Sequence, residues 1–129
     1  MPRTFFLAAA LSAAIALPVQ AQNSPEFDAC MARAEGVSTR MLDCGHAEIG
    51  RSDRRLNSAY QALLKRQKGA ARSKLQREQR DWLKHHLSET QRLAAAPDNG
   101  SVAFLDSQAF ELDDLSSRTL ELEKRVRGN

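Results

Sequence analysis

The chain has 129 residues, of which 27% are charged and 5% are aromatic, and its formal net charge is +3. This length excludes a membrane channel, a large α/β enzyme and a multidomain receptor, each of which needs a larger buried core. The net charge is too small to indicate a class of partner, so its distribution along the chain is more informative.

The first 21 residues have the pattern of a secretory signal peptide. One charged residue, Arg3, precedes an apolar run over 5–18. The segment ends at Ala21 with small residues at the positions that a signal peptidase recognises. The pattern predicts cleavage after Ala21 and an exported protein, periplasmic or secreted, with a single helical domain over 22–129. The apolar run is too short for a permanent membrane span, so we expect no transmembrane segment after cleavage.

The first predicted helix of the domain is short. Ser24 offers a capping hydroxyl, Pro25 suits the first turn, and Glu26 places an acid near the positive end of the helix dipole. These signals predict a helix over 25–35 that stops at Gly36.

Cys30 in that helix and Cys44 beyond it are the two cysteines of the chain. In the oxidising compartment that export implies, an even pair predicts a disulfide, and closing so short a loop contributes about 3 kcal/mol. A redox-active or metal-binding pair is the alternative, but the fourteen-residue offset lacks the Cys-x-x-Cys spacing that redox pairs use. The pair is therefore predicted to be structural.

A second helix is the best-patterned segment of the chain. Ser38 or Thr39 is predicted to cap it, and it is predicted to end near Gly69. Its apolar residues recur every seven positions: Leu42, Ile49, Leu56 and Leu63. Gly45 and Gly50 weaken the first half, so a bend is expected there.

A third helix is predicted over 71–94 and a fourth over 102–126, separated by a proline- and glycine-containing loop over 94–101. The apolar stripe of the fourth helix consists of Leu105, Leu112, Leu115, Leu122 and Val126. Short connections between amphipathic helices predict an all-α fold. We expect an antiparallel bundle of three main helices plus a short N-terminal helix tied on by a disulfide.

Basic residues concentrate in the middle of the domain. The net charge is −3 over 22–50, +8 over 51–92 and −3 over 93–129. The basic block 51–92 is either a solvated pair of helix faces or a surface that binds an envelope protein or an anionic polymer. Tyr60 and Trp82 are the aromatic residues of this block, too few for base stacking, so nucleic-acid binding is not predicted.

The sequence lacks the signatures of catalysis. It contains no nucleophile elbow, phosphate loop, dinucleotide fingerprint or paired zinc-ligand motif. Adjacent His85 and His86 point about 100° apart on a helix, which does not suit one metal ion. Asp113 and Asp114 are neighbouring carboxylates, but a thin bundle has little room for the cleft that glycoside chemistry requires. We therefore predict no enzyme activity, no cofactor and no metal site.

Polar side chains interrupt the apolar stripes at helical spacing. Two sets each share one helix face: Asp53, Asn57 and Tyr60 on the second helix, and Leu75, Gln79, Trp82 and His86 on the third. If the two faces meet, the buried polar groups need partners, which predicts hydrogen bonds from Asp53 or Asn57 across to the third helix. The alternative is a surface patch that recognises a partner.

The spacing of these residues resembles that of the lysozyme inhibitor LprI-like N-terminal domain family. The matching elements are, in order, Cys30, Met41-x-x-Cys44, Asp53-x-x-Leu56-Asn57-x-x-Tyr60 and Leu75-x-x-x-Gln79-x-x-Trp82. The resemblance covers residues 27–125 and implies an all-helical exported bacterial domain that inhibits lysozyme in the family's namesake. It also implies that the two cysteines form the family's first disulfide and that the polar sets are its signature face.

The sequence departs from the family pattern at three positions. His86 stands where the family often has arginine, and Thr90 stands where many members have a further cysteine. The usual partner of that cysteine falls near Phe110. We therefore expect one disulfide in place of two, and an activity that depends on the arginine is not implied for this chain.

These observations predict an exported, non-catalytic binding module whose partner is lysozyme or another envelope protein. Inhibition would mean covering the cleft of the enzyme, and an acidic surface would speed association with a basic lysozyme. Candidate acids for that surface are Asp106, Glu111, Asp113 and Asp114. One alternative is a structural or adaptor module that binds through the basic block 51–92. Another is a small hydrolase, which would need a pocket with convergent titratable groups.

Overall fold

The computed structural model describes residues 23–98 and 100–128 as four helices. They are α1 (Pro25–Ala34), α2 (Ser38–Arg66), α3 (Gly69–Ala94) and α4 (Gly100–Arg127). The described ranges contain no strand, so the predicted all-α class is confirmed. The predicted signal peptide lies outside these ranges, and none of the described helices is long and apolar enough to cross a membrane.

The local signals of α1 set its boundaries. The Ser24 hydroxyl accepts a hydrogen bond from the Phe27 amide at 3.2 Å, and Pro25 occupies the first turn. Glu35 and Gly36 have left-handed φ angles of 50° and 74°, which end the helix one residue before the predicted end.

The start of α2 differs from the prediction. The helix already includes Ser38, its N-cap residue is Val37, and no side chain caps it. The predicted capping role of Ser38 or Thr39 is therefore wrong. The Val37 amide donates to the Ala34 carbonyl at 2.9 Å, so the turn that closes α1 leads directly into α2 and leaves no residue for a separate cap.

The later helix boundaries shift by a few residues. α2 ends at Arg66 because Gln67 is extended, and Gly69, predicted to end α2, instead begins α3 with a φ angle of 55°. α3 therefore starts before residue 71, and α4 exceeds its predicted range at both ends. The left-handed glycine allows the chain to reverse within two residues.

α2 and α4 run parallel and pack closely. Gln108 Nε2 donates to the Leu42 carbonyl at 2.9 Å, and about three turns later Thr119 Oγ1 donates to the Ser52 carbonyl at 3.4 Å. A Cβ atom at Gly45 would overlap the side-chain amide of Gln108. The missing side chain at position 45 thus lets Gln108 reach the backbone of α2.

α3 runs antiparallel to α4. Ser107, near the start of α4, donates through Oγ to the carbonyl of Thr90, near the end of α3, at 2.8 Å. Towards the other end, Arg125 Nη1 of α4 donates to Glu78 of α3 at 2.9 Å. α4 packs along both long helices, whereas the backbones of α2 and α3 approach each other closely at few points. The predicted bundle of three main helices is confirmed, with α4 at its centre.

Leucines from the three long helices form the core. The buried cluster consists of Leu56, Ala59, Leu63, Leu64, Leu75, Leu115 and Leu122. Four partly buried side chains pack against it: Ile49, Tyr60, Trp82 and Val126. Full burial of one leucine stabilises the fold by about 1.5 to 3 kcal/mol, so this cluster is the main source of stability.

α1 is held to α2 by a covalent bond and a polar contact. The predicted disulfide between Cys30 and Cys44 is present, with 5.7 Å between the Cα atoms. The amide and the hydroxyl of Ser24 donate to the Glu48 carboxylate at 2.7 and 2.6 Å. A helix of ten residues is marginal on its own, so these ties keep α1 in place.

Replacing Gly45 with alanine is expected to destabilise the fold by about 1 to 3 kcal/mol, because the Gln108 side chain must move away and its buried amide then loses the Leu42 carbonyl. Gly50→Ala is the matched control in the same helix. Its Cβ would meet nothing nearer than Arg54 Nη1 at 3.6 Å, so helix propensity alone should raise stability by up to about 1 kcal/mol. Urea unfolding measures both variants, and equal stabilities would contradict the close contact between α2 and α4.

Candidate functional site

Two polar residues of α3 bond to α4. The side-chain oxygen of Gln79 accepts a hydrogen bond from Nε of Arg118 at 3.0 Å. Two turns further along α3, His86 Nδ1 lies 2.7 Å from Oδ2 of Asp114, and His86 is only 5% exposed. Both contacts cross the seam between α3 and α4, so Gln79 and His86 hold the two helices in register.

The expected hydrogen bonds from α2 to α3 do not form among the described residues. Asp53 and Asn57 are exposed, and their side chains bond to each other, with Asn57 Nδ2 donating to Asp53 Oδ2 at 3.2 Å. The prediction of a polar network between α2 and α3 is therefore wrong. The close parallel packing of α2 on α4 places α4, and not α2, opposite the polar face of α3.

The remaining two members of the predicted face belong to the core. Leu75 has no exposed surface, and Tyr60 is half-buried against the leucine cluster. Of the seven predicted residues, Asp53 and Asn57 are thus the two that face solvent. The alternative of one continuous recognition patch does not fit this arrangement, because the face divides into interior ties and an exposed polar pair.

Aromatic rings surround His86. The Trp82 ring stacks on it with centroids 4.9 Å apart, and the Phe110 ring of α4 lies 6.0 Å away. One turn further, Thr90 Oγ1 donates to the His86 carbonyl at 2.7 Å, and the Thr90 carbonyl accepts from Ser107. The resemblance places a second disulfide at Thr90 and near Phe110. Here hydrogen bonds and ring packing join the two helices in its place.

Arg118 is a buried polar residue that sequence reasoning missed. It is 8% exposed, and Nη1 donates to Glu121 at 2.8 Å. Its Nη2 and the Nε1 of Trp82 are buried and have no hydrogen-bond partner among the described residues. A signal was available, because Arg118 lies within the apolar stripe of α4 between Leu115 and Leu122, where a charged group needs a partner from the facing helix.

Glu48 is a buried carboxylate at the contact between α1 and α2, and it is 4% exposed. Burial by itself raises the pKa of Glu48, but the hydrogen bonds from Ser24 and Arg51 outweigh burial and lower the pKa from its ordinary value of 4.5. The Arg51 guanidinium donates through Nε at 2.7 Å. Glu48 therefore remains charged inside the contact between α1 and α2. Its two hydrogen bonds from Ser24 hold the start of α1 against α2.

The alternating helix directions separate charge into two ends of the bundle. Residues 23–50, 81–98 and 100–114 form an acidic end with four basic and twelve acidic residues, net −8. Residues 51–80 and 115–128 form a basic end with fourteen basic and four acidic residues, net +10. The basic block of the sequence supplies most of the basic end, whereas the acidic end collects parts of all four helices.

Exposed apolar side chains accompany the acidic end. The large hydrophobic residues with 42% to 56% exposure are Val37, Leu83, Leu87, Val102 and Phe104, and all five belong to it. Exposed apolar side chains are part of the contact area by which proteins bind one another. The acidic end is therefore the candidate functional surface.

The other candidate groups of the sequence take separate positions. Asp113 is exposed, whereas its neighbour Asp114 bonds His86. His85 is exposed, and its ring stands nearly perpendicular to that of Phe110, with the centroids 6.3 Å apart. Within the described ranges, no three histidine, cysteine or acidic side chains are placed to hold a metal ion.

The sequence model of the family described as lysozyme inhibitor LprI matches residues 30–122. The match runs from a cysteine of the disulfide to the last leucine of the core and spans most of the chain, so the chain belongs to this family. No curated protein and no solved structure gave a significant match. Family membership confirms the resemblance seen in the sequence and defines the class as a lysozyme-inhibitor-like binding module, which suggests a protein partner.

At pH 7, Glu48→Gln is expected to be about 1 to 3 kcal/mol less stable than the natural chain, because a neutral amide accepts weaker hydrogen bonds. Folding lowers the pKa of Glu48, so its contribution is complete above pH 4.5 and is lost as the pH falls through the lowered value. Thermal unfolding from pH 7 to about pH 3 should show the difference between the two proteins closing.

The exposed Glu35 provides the control for this measurement, since Glu35→Gln should leave stability nearly unchanged throughout. A stability difference for Glu48→Gln that stays constant with pH would contradict a charged carboxylate at position 48.

Gln79→Ala is expected to lower the thermal midpoint, because Nε of the buried Arg118 loses its acceptor at a cost of about 1 to 3 kcal/mol. For a domain of this size, each kcal/mol corresponds to about 4 to 8 °C. Gln91→Ala on the same helix is the control, because Gln91 is exposed. An unchanged midpoint for Gln79→Ala would show that the contact with Arg118 does not stabilise the bundle.

Proposed function

We propose that this protein is an exported, non-catalytic inhibitor that binds lysozyme through its acidic end. The observation that carries the proposal is the net charge of −8 at one end of a chain that belongs to the lysozyme inhibitor LprI family. Many lysozymes are strongly basic, so opposite charges would steer the two proteins together and raise the association rate. Exposed apolar side chains at the same end would supply contact area that slows dissociation.

Inhibition requires only that the bound domain covers the cleft of the enzyme. A rigid bundle end at the mouth of a cleft excludes a peptidoglycan strand without any reaction of its own. Export fits this function, because lysozyme acts on the cell wall. The signal-peptide pattern over 1–21 and the Cys30–Cys44 disulfide, which is consistent with an oxidising compartment, support export.

The basic end favours a second candidate function, that of an adaptor module bound to an anionic polymer or an envelope protein. The connection between α2 and α3 exposes six cations within thirteen residues: Lys65, Arg66, Lys68, Arg72, Lys74 and Arg77. Binding of a polyanion to this surface would weaken steeply with salt, because charges are screened over about 10 Å at 0.1 M ionic strength. The two functions use opposite ends of the bundle, so variants of one end separate them.

The test is a lysozyme turnover assay on peptidoglycan with the oxidised, exported protein titrated in. We expect dose-dependent inhibition below about 50 micromolar, and its loss after reduction and alkylation, because α1 is then released from the acidic end. The double variant Lys65→Glu/Lys68→Glu is the control at the basic end and should inhibit as well as the natural chain.

Absence of inhibition across several lysozyme classes would reject the proposal. Retention on an anionic polymer that Lys65→Glu/Lys68→Glu abolishes would then identify the adaptor function.

A further inference from the structure

We propose that a groove between α1 and α4 binds one apolar side chain of a basic partner, flanked by two cations of that partner. The inference rests on the proposed function and names the part of the acidic end that makes the contact. It specifies the chemistry of the partner segment as an apolar anchor with a positive charge on either side.

The groove consists of two adjoining cavities of about 270 and 200 Å³. Phe27, Ala109 and Leu112 line both of them. The larger cavity is lined further by Met31 and Met41, and by Leu105. Its lining is largely apolar and it has room for one large aliphatic or aromatic side chain.

The unequal lengths of the two helices leave this groove open. α1 has 10 residues and α4 has 28, so α1 covers only part of the apolar face of α4. Val102, Leu105, Ala109 and Leu112 follow helical spacing on that face. Val102 is 54% exposed and Ala109 is also exposed, so the face continues from the groove into solvent.

Two carboxylates stand on the rim of the groove. Asp106 lines the larger cavity and Asp113 the smaller one, and both residues are exposed. Neither forms an ion pair within the part of the chain that the structure describes. Seven residues apart on one helix, they are about 10 Å from each other, which sets the spacing of the two cations that would pair with them.

Two methionines make the groove adaptable. Thioether side chains are unbranched and polarisable, and they adjust to apolar groups of different shape. Met31 on α1 and Met41 on α2 would therefore close around the anchor, while Asp106 and Asp113 select a basic surface. Charge complementarity identifies the occupant as a basic protein.

The first experiment reverses the rim charges. Asp106→Lys/Asp113→Lys is expected to weaken inhibition of a basic lysozyme by about tenfold or more. Asp43→Lys/Asp81→Lys is the matched control, because it makes the same charge change at exposed positions of the acidic end that do not line the groove. Ala109→Arg, which fills the groove from an exposed position, should weaken inhibition as strongly as the rim variant.

The second experiment observes the groove directly. Methionine methyl signals in NMR spectra of the exported protein report on Met31 and Met41. The probe is a synthetic helical peptide with one leucine and a lysine three residues to each side. We expect both methyl signals to shift with the peptide and to stay unshifted in the Ala109→Arg variant.

The outcomes separate this inference from the proposed function. Inhibition that the rim and groove variants leave unchanged would overturn the inference while the proposed function stands. Methyl shifts that depend on the rim charges, without inhibition of any lysozyme, would support the groove and reject the function. A change of oligomeric state in the groove variants would show that a second copy of the chain occupies the groove, which also overturns the inference.

Discussion

The close parallel contact between α2 and α4 is the constraint on which the rest of the bundle depends. Leu56 and Leu63 of α2 pack with Leu115 and Leu122 of α4 in the core. At Gly45 the missing side chain leaves space for the Gln108 amide, which reaches the Leu42 carbonyl at 2.9 Å. Once α4 lies against α2, the polar face of α3 meets α4, and Arg118 becomes the partner of Gln79. The packing of α4 on α2 thus decides which helix satisfies the polar groups of α3.

Local sequence signals predicted most of the helices and the disulfide. They did not predict which helices pack against each other. The cap at Ser24, the seven-residue apolar repeat of α2 and the cysteine pair each act over a short stretch of the chain, so the helices and the disulfide follow from the sequence. Helical spacing also showed that Gln79 and His86 share a face. Helical spacing does not show which helix lies opposite that face. The predicted network was wrong because it placed α2 there, whereas α4 occupies that position.

The arrangement of charge in the folded bundle also depends on which helix segments lie side by side. Along the chain it is a basic block between two acidic segments. Because successive helices reverse direction, the second half of α3 returns to the end that holds α1 and the start of α4. Three charged segments along the chain thereby become two oppositely charged ends of the bundle. The order and lengths of the helices, and not the composition, determine where the boundary between the acidic and the basic end lies. The groove between α1 and α4 likewise depends on a difference in helix length.

The separation of charge also gives the molecule a direction. A helix of 28 residues is about 40 Å long, several times the distance over which physiological salt screens a charge. The two ends therefore act as independent electrostatic poles of one elongated dipole. An anionic surface would attract the basic pole and repel the acidic pole. A molecule oriented in this way would carry the α1–α4 groove, which lies in the acidic half of the bundle, on the side away from that surface.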